Sequence, residues 1–267
     1  MMIVSLTIRA ILKDLMGTVE QIEGTVDILN PGEPETEVTG IITAFSATQN
    51  IVEQAIALGA NLLITHEGVF YSHHAASEWL EGDPVYHAKK SLIEHSPIAI
   101  FRYHDYWHRQ EPDGIMMGLL RELDWSDYVE EQQAAATILT IPAMTVMEAA
   151  QYIKSKLGIS YVRAAGDLSL SCKRVGILIG YRGGGMMAIP LFNDHNLDLI
   201  IAGEGPEWET PEYVRDAGHQ GRSKALIMLG HAESEAPGMK YLAEILADKY
   251  PMLPTRFIAE QPIYQMV

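Results

Sequence analysis

Three short clusters in the sequence combine imidazoles with carboxylates and could bind metal ions. One is the pair His66-Glu67, and in the other two a histidine stands four residues before a second candidate ligand. Divalent transition metals bind His nitrogen and Asp or Glu oxygen, and catalytic sites leave one coordination position for water. Two ions held in this way would lower the pKa of a bound water, supply a nucleophile at neutral pH and stabilise charge on a substrate oxygen. We therefore predict a site for two divalent ions, with Zn, Fe and Mn as the candidate metals and with the ligands His66, Glu67, His104, His108, His231 and Glu235.

Each cluster directly follows an apolar segment that is typical of a buried strand. These segments are residues 61–65, 98–103 and 224–229. Open α/β sheets place their ligand crevice at the carboxyl ends of the strands, so the three clusters are expected to lie together. The spacing of four residues within the second and third clusters puts each pair on one side of a helical turn. A single histidine at a strand end is more often a satisfied polar residue than a ligand, so it is the joint placement that favours a metal site.

The rest of the chain alternates short apolar segments with stretches of helical periodicity. This alternation predicts a largely parallel sheet covered by helices on both faces. An acidic, glutamine-rich segment at 124–133 interrupts the pattern and is interpreted as a connector, after which the cycle restarts. We predict an α/β fold of two similar lobes with mostly parallel sheets, the first formed by residues 1–130 and 229–267 and the second by 131–228.

Two carboxylates outside the predicted ligand set are candidates for proton transfer. Asp105 lies between two predicted ligands, where a supporting contact to a ligand is the alternative role, and Glu204 follows another predicted strand. His73 and His74 fall in a polar loop, for which solvation is the simpler explanation and a supporting or substrate contact the alternative. The glycine-rich segment 180–185 matches neither a Walker loop nor a dinucleotide motif, so a tight turn is favoured over an anion contact through its backbone N–H groups.

The overall composition limits the partners that the chain can have. Its formal net charge of −16 opposes binding to nucleic acid, whose backbone is itself negative. No segment approaches the roughly 18 consecutive apolar residues of a membrane span, and residues 1–9 lack the basic segment and cleavage site of an export signal. The lone Cys172 excludes an internal disulfide and fits a reducing compartment. We expect a cytoplasmic protein that acts on a small molecule and binds neither nucleic acid nor a membrane.

Several segments form blocks that resemble those of a known family. They are residues 38–41, 55–60 and 63–66, the Ile-Ala-Gly-Glu segment at 201–204, and the Gly-His-Ala-Glu-Ser-Glu segment at 230–235. The blocks are similar to those of the Nif-three-like dinuclear metal-centre proteins, often labelled GTP cyclohydrolase I type 2 homologs. The last segment resembles the family's closing Gly-His-x-x-Ser-Glu and is the most specific of these matches.

The resemblance implies two α/β lobes, a last helix that returns to the first lobe, a metal pair in the cleft between the lobes, and a ring-shaped homohexamer. It places the ligands at the six positions named above, with two departures. Glu67 stands where the family has the second His of His-His, and His108 stands where it has the Asp of His-Thr-Asn-Leu-Asp. One carboxylate replaces a histidine and one histidine replaces a carboxylate, so the ligands still carry two negative charges. We expect the site to be retained with its ligands redistributed.

Together these features favour a metal-dependent hydrolase that acts on a small nucleotide-like or phosphorylated substrate. One alternative is a non-enzymatic, metal-binding regulatory hexamer. The other is ring opening of GTP, for which no guanine-binding motif is visible in the sequence.

Overall fold

The computed structural model describes residues 6–17, 19–74 and 77–267. The chain divides into two compact units, of which the first comprises Met1–Gly114 and Met239–Glu260 and the second comprises Ile115–Gly238 and Gln261–Val267. The predicted lobe boundaries stay a prediction, because compactness alone does not define domains that fold independently. Residues 1–5, part of the segment in which the sequence predicts no export signal, lie outside the described residues.

The first unit contains a parallel sheet. Its strands are β1 Ile41–Ala44, β2 Leu62–Thr65, β3 Ala99–Arg102 and β10 Thr255–Phe257, in the order β10-β1-β2-β3. All neighbouring pairs are parallel, and every residue of β1, β2 and β3 is buried. Burial on both faces is typical of parallel sheets, so the prediction is confirmed for this unit.

Three of the four helices named here for the first unit begin at residues whose side chains cap them. They are α1 Ile8–Met16, α2 Gln49–Ala57, α3 Pro84–Glu94 and the single turn α4 Asp105–His108. Side chains of Thr7, Thr48 and Asp83 accept N–H groups at the starts of α1, α2 and α3. Each cap satisfies a donor for which the first helical turn offers no acceptor.

The sheet of the second unit is mixed, which corrects the prediction of mostly parallel strands. Its strands are β4 Val129–Gln132, β5 Thr137–Thr145, β6 Arg163–Gly166, β7 Ser171–Leu178, β8 Leu199–Ala202 and β9 Ala225–Met228, in the order β4-β5-β7-β8-β9-β6. Strands β7, β8 and β9 are parallel, whereas β4, β5 and β6 pair antiparallel with their neighbours. The turn at 133–136 joins β4 to β5 directly, and antiparallel strands need no more than such a turn.

The segment 124–133, interpreted from the sequence as a connector, contains β4. This strand lies at the edge of the sheet, and three of its four residues are exposed. An edge strand exposed in this way shows no alternation of apolar and polar residues, so its acidic composition conceals it.

Helices cover this second sheet as the alternation predicts. They are α6 Val146–Leu157, α7 Gly185–Asp194 and α8 Thr210–His219, whereas α5 Gly114–Glu122 precedes β4 in the chain and α9 His231–Lys249 follows β9. Thr145 and Glu148 form the capping box predicted at the start of α6. Among the described helices, none combines the length and the apolar character that crossing a bilayer requires.

Candidate metal centre

Two neighbouring parallel strands deliver the first candidate ligands. Strand β2 ends at Thr65, which pairs with Arg102 at the end of β3. His66 follows β2 directly and is completely buried, and His104 lies just beyond β3. Because parallel strands end at the same edge of a sheet, the two imidazoles are brought together, as the sequence predicts.

The short helix α4 is fixed by a carboxylate that sequence reasoning does not identify. Asp27 accepts the backbone N–H groups of His104 and Asp105 at 2.8 Å and of Tyr106 at 3.0 Å. These bonds satisfy the donors at the start of a helix too short to be stable by itself. The turn that they stabilise brings the rings of His104 and His108 to a centroid distance of 5.0 Å.

His66, His104 and His108 form what we call the three-histidine group. Their ring centroids lie 4.4 to 5.0 Å apart, and each residue offers a ligand nitrogen within 4.8 Å of the others. The Nδ1 atom of each ring has its own acceptor: the Tyr103 carbonyl oxygen at 3.3 Å for His66, Asp105 Oδ1 at 2.9 Å for His104 and Asp113 Oδ2 at 2.9 Å for His108. An acceptor on Nδ1 fixes the tautomer and makes Nε2 the ligand nitrogen, as is usual for histidines that bind metals.

The electrostatics around His104 favour its neutral imidazole. Burial, together with the neighbouring His66 and His108, lowers the pKa of His104 to about 3. A neutral ring is the form that binds a cation. Burial opposes the negative charge of Asp105, but hydrogen bonds from Val26 and His104 hold the pKa of this carboxyl at about 2.

Asp105 is engaged through both oxygens. Its Oδ1 accepts from His104, and its Oδ2 accepts from the Val26 N–H group at 3.0 Å and the Thr25 hydroxyl at 2.9 Å. These contacts suit a residue that orients His104. Its proposed part in proton transfer stays a prediction.

Glu67 lies beside the three-histidine group and is paired with a buried cation. Its Oε2 accepts from Arg102 Nη2 at 2.9 Å, and its Oε1 lies 4.0 Å from His104 Nε2. His73, which the sequence places in a solvated loop, approaches Glu67 with Nδ1 3.7 Å from Oε2. Glu67, His73 and His104 each offer a ligand atom within 4.8 Å of the others, so the structure adds His73 to the candidate residues.

The second unit carries its own pair of candidate ligands. His231 begins α9, and its Nε2 lies 3.0 Å from Glu235 Oε2 one turn later, as their spacing predicts. Its Nδ1 lies 2.8 Å from Glu204 Oε1, so the carboxylate predicted as a general base orients a histidine. Burial opposes the charge of this imidazole, but Glu235 and Glu204 together raise the pKa of His231 to about 9.

The glycine-rich segment allows the backbone to approach Glu235 closely. Gly180 has φ +59°, and a Cβ atom there would lie 2.1 Å from Glu235 Oε1. Its N–H group donates to the buried Ser234 hydroxyl at 2.9 Å. A tight turn against the candidate ligands therefore explains the glycine at 180 without any bound phosphate.

The donor chemistry of both sets fits divalent transition metals, and His231 would release the proton that Glu235 and Glu204 stabilise when it binds one. Three imidazoles with one carboxylate suit Zn, and the same atoms suit Fe or Mn, which accept more oxygen ligands. The structure brings together His66, Glu67, His104 and His108 in the first unit, and His231, Glu235 and Glu204 in the second. That both sets bind one pair of ions stays a prediction.

Known proteins resemble this chain in sequence and in fold. A curated protein of Clostridium perfringens named GTP cyclohydrolase 1 type 2 homolog is 24% identical over 254 residues, which cover 89% of this chain and 92% of that protein. A relative of the same name from Haemophilus influenzae is 26% identical over 224 residues, covering 82% and 83%. The crystal structure of a hypothetical protein of Staphylococcus aureus has a TM-score of 0.74 at 18% identity, covering 98% of this chain and all of that one, and shows the shared fold. The model of the family described as Duf34/NIF3 (NGG1p interacting factor 3) matches residues 25–262, and the chain belongs to this family.

Proposed function

We propose that the chain binds divalent transition metal ions, two per chain, and uses them for hydrolysis. The observation that carries the proposal is the three-histidine group, in which every Nδ1 atom has an acceptor of its own. Histidines that bind metals usually donate the other ring N–H group to such an acceptor. His231 and Glu235 would supply ligands to the second ion.

Metal content tests the first step. The purified chain is expected to bind about two equivalents of Zn, Fe or Mn by elemental analysis after dialysis. His104→Ala and His231→Ala should each reduce the bound metal while the far-ultraviolet circular dichroism stays unchanged. The matched control is His95→Ala, because His95 is exposed at the end of α3 and bonds to the Ser91 carbonyl oxygen. Fewer than one ion in the wild-type chain would refute the proposal.

The chemistry that this site supports best is hydrolysis. A bound divalent ion lowers the pKa of a coordinated water and stabilises negative charge on a substrate oxygen. Asp105 and Asp113 hold the rings of His104 and His108, and Glu204 holds His231. In the hydrolysis of a phosphoester, the water oxygen bonds to phosphorus while the P–O bond to the alcohol breaks, and the alcohol leaves with a proton that came from the water.

The proposed substrate is a small nucleotide-like or phosphorylated molecule. The curated relatives are named after GTP cyclohydrolase, so GTP ring opening is the second candidate reaction. The metal-loaded chain should hydrolyse members of a panel of phosphoesters and nucleotides, with His104→Ala as the inactive control. GTP turnover is followed separately by the loss of guanine absorbance. A loaded chain that turns over neither GTP nor the panel would favour the non-enzymatic alternative.

The homohexamer implied by the family resemblance remains a proposal. Sedimentation equilibrium of the metal-loaded chain tests it, because six copies of a 29.6 kDa chain are well separated in mass from a monomer or dimer.

A further inference from the structure

Arg102 is a buried cation that binds the loop following β2. Its side chain is only 3% exposed. A charged group in such a place is stable only when it is paired and hydrogen-bonded. Its Nε donates to the His66 carbonyl oxygen at 3.2 Å, and its Nη1 donates to the His73 carbonyl oxygen. Its Nη2 donates to Glu67 Oε2 at 2.9 Å and approaches His73 Nδ1 at 3.0 Å. The guanidinium therefore binds both ends of the segment from 66 to 73.

This arrangement makes the two oxygens of Glu67 unequal. Oε2 lies against Arg102, accepts the N–H group of Gly68 at 3.3 Å and lies 3.7 Å from His73 Nδ1, which itself approaches Arg102 Nη2 at 3.0 Å. Oε1 is the oxygen that faces His104, 4.0 Å from Nε2. A carboxylate without such a partner can bind an ion through one oxygen or through both.

We propose that Arg102 is a positioning residue that presents Glu67 to the metal through Oε1 alone. The inference rests on the proposed metal binding and extends it by assigning a role to a residue that is not a ligand. The planar fork of the guanidinium suits this role, since it can bind the carboxylate and the backbone of the loop at once, whereas a lysine could not. The positive charge of Arg102 also offsets the negative charge of Glu67, so the pair adds no net negative charge to the site.

The rival explanation is that Arg102 only anchors the loop. Lys89 provides a matched control, because it too is a buried cation bound to this loop, with 4% of its surface exposed. Its Nζ donates to the Val69 carbonyl oxygen and lies 5.5 Å from the Phe70 ring centroid, and its described contacts include none of the candidate ligands. Replacing Lys89 should therefore disturb the loop without changing the oxygens that Glu67 presents.

Cobalt substitution separates the two explanations, because the visible spectrum of Co²⁺ changes with its coordination number. Arg102→Gln is expected to weaken Co²⁺ binding by about ten- to a hundredfold, as is typical when a residue behind a ligand is removed, and to change the spectrum. Arg102→Lys should recover part of the affinity through its charge but not the wild-type spectrum. Lys89→Met should retain both the affinity and the spectrum.

A double-mutant cycle shows whether Arg102 acts through Glu67. In the Glu67→Ala background, Arg102→Gln should have no further effect on Co²⁺ affinity. An unchanged spectrum in Arg102→Lys, or an undiminished effect of Arg102→Gln without Glu67, would overturn the inference while metal binding itself stands. A wild-type chain that takes up no Co²⁺ would overturn the proposed function itself.

Discussion

Removing the carboxylate of Asp113 should weaken metal binding without unfolding the chain. Asp113 Oδ2 lies 2.9 Å from His108 Nδ1, and the Asp113 side chain is 18% exposed. A hydrogen bond to a charged acceptor contributes about 1.5–3 kcal/mol. At about 1.4 kcal/mol per factor of ten, this range corresponds to a loss of about ten- to a hundredfold in affinity. Without the acceptor, the ring can rotate or change its tautomer, so Nε2 is no longer held toward His66 and His104.

The assay is a competition titration of Zn²⁺ between the chain and a chromophoric chelator at fixed pH. Asp113→Ala should show the full loss. Asp113→Asn should show a smaller one, because an amide oxygen still accepts from His108 but carries no charge. Asp83→Ala is the matched control: Asp83 caps α3, so its loss lowers the free energy of unfolding by about 1 kcal/mol, but its described contacts include none of the candidate ligands.

Two results would refute the reasoning about Asp113. Wild-type affinity in Asp113→Ala would show that the position of His108 does not depend on this contact. An equal loss in Asp83→Ala would show that general destabilisation, and not the orientation of one imidazole, weakens binding. Thermal unfolding of the metal-free variants measures their stability separately.

Three further predictions follow from single positions. Burial lowers the pKa of Lys89 to about 8. Between pH 8 and roughly 10.4 the unfolded chain therefore binds more protons than the folded chain. Over this range the free energy of unfolding should rise with pH, by on the order of 3 kcal/mol. Urea titrations of Lys89→Met should lack this rise. Asp27→Ala removes the acceptor at the start of α4. It should lower the free energy of unfolding by about 2 kcal/mol and also reduce metal affinity. The free energy of unfolding and the metal affinity are both measured on the same preparation. Gly180→Ala should lower the free energy of unfolding by about 1–2 kcal/mol and also reduce bound metal, because the new Cβ atom would displace Glu235. Gly158→Ala is the control: Gly158 has φ +66° and no atom near the position of a Cβ, so this variant should lower stability alone.

The parts of the site that are local in sequence could be predicted from the sequence. A buried strand that ends in His66, and the four-residue spacing of His231 and Glu235, each describe a single element and its immediate continuation. Such patterns follow from the geometry of one strand or one helical turn. The structure confirms two predictions of this kind, the parallel sheet of the first unit and the contact of His231 with Glu235 one helical turn later.

The residues that orient the ligands could not be predicted, because they belong to other parts of the chain. Asp27 reaches α4 across more than seventy residues of sequence, and nothing in its own surroundings marks it as a cap. Glu204 attracts notice as a carboxylate, but only the structure reveals its contact with His231. The mixed sheet has the same origin: the pairing of the exposed strand β4 depends on the edge that β5 offers and not on the composition of β4.

At the two positions where the predicted ligands depart from the pattern that the resemblance implies, a charged residue outside the predicted ligand set lies against the side chain. Glu67 stands where the family has a neutral histidine, and Arg102 pairs with it, so together they carry the formal charge of the residue replaced. His108 stands where the resemblance implies an aspartate, and Asp113 Oδ2 lies 2.9 Å from its Nδ1. The sequence alone shows an exchange of a histidine and a carboxylate between two positions. The structure adds a residue of opposite sign at the first position, where Arg102 pairs with Glu67, and a carboxylate at the second, where Asp113 hydrogen-bonds to His108. Replacing Arg102 alone would leave the partly buried carboxylate of Glu67 without its cationic partner, whereas replacing Asp113 removes only the acceptor of His108 Nδ1.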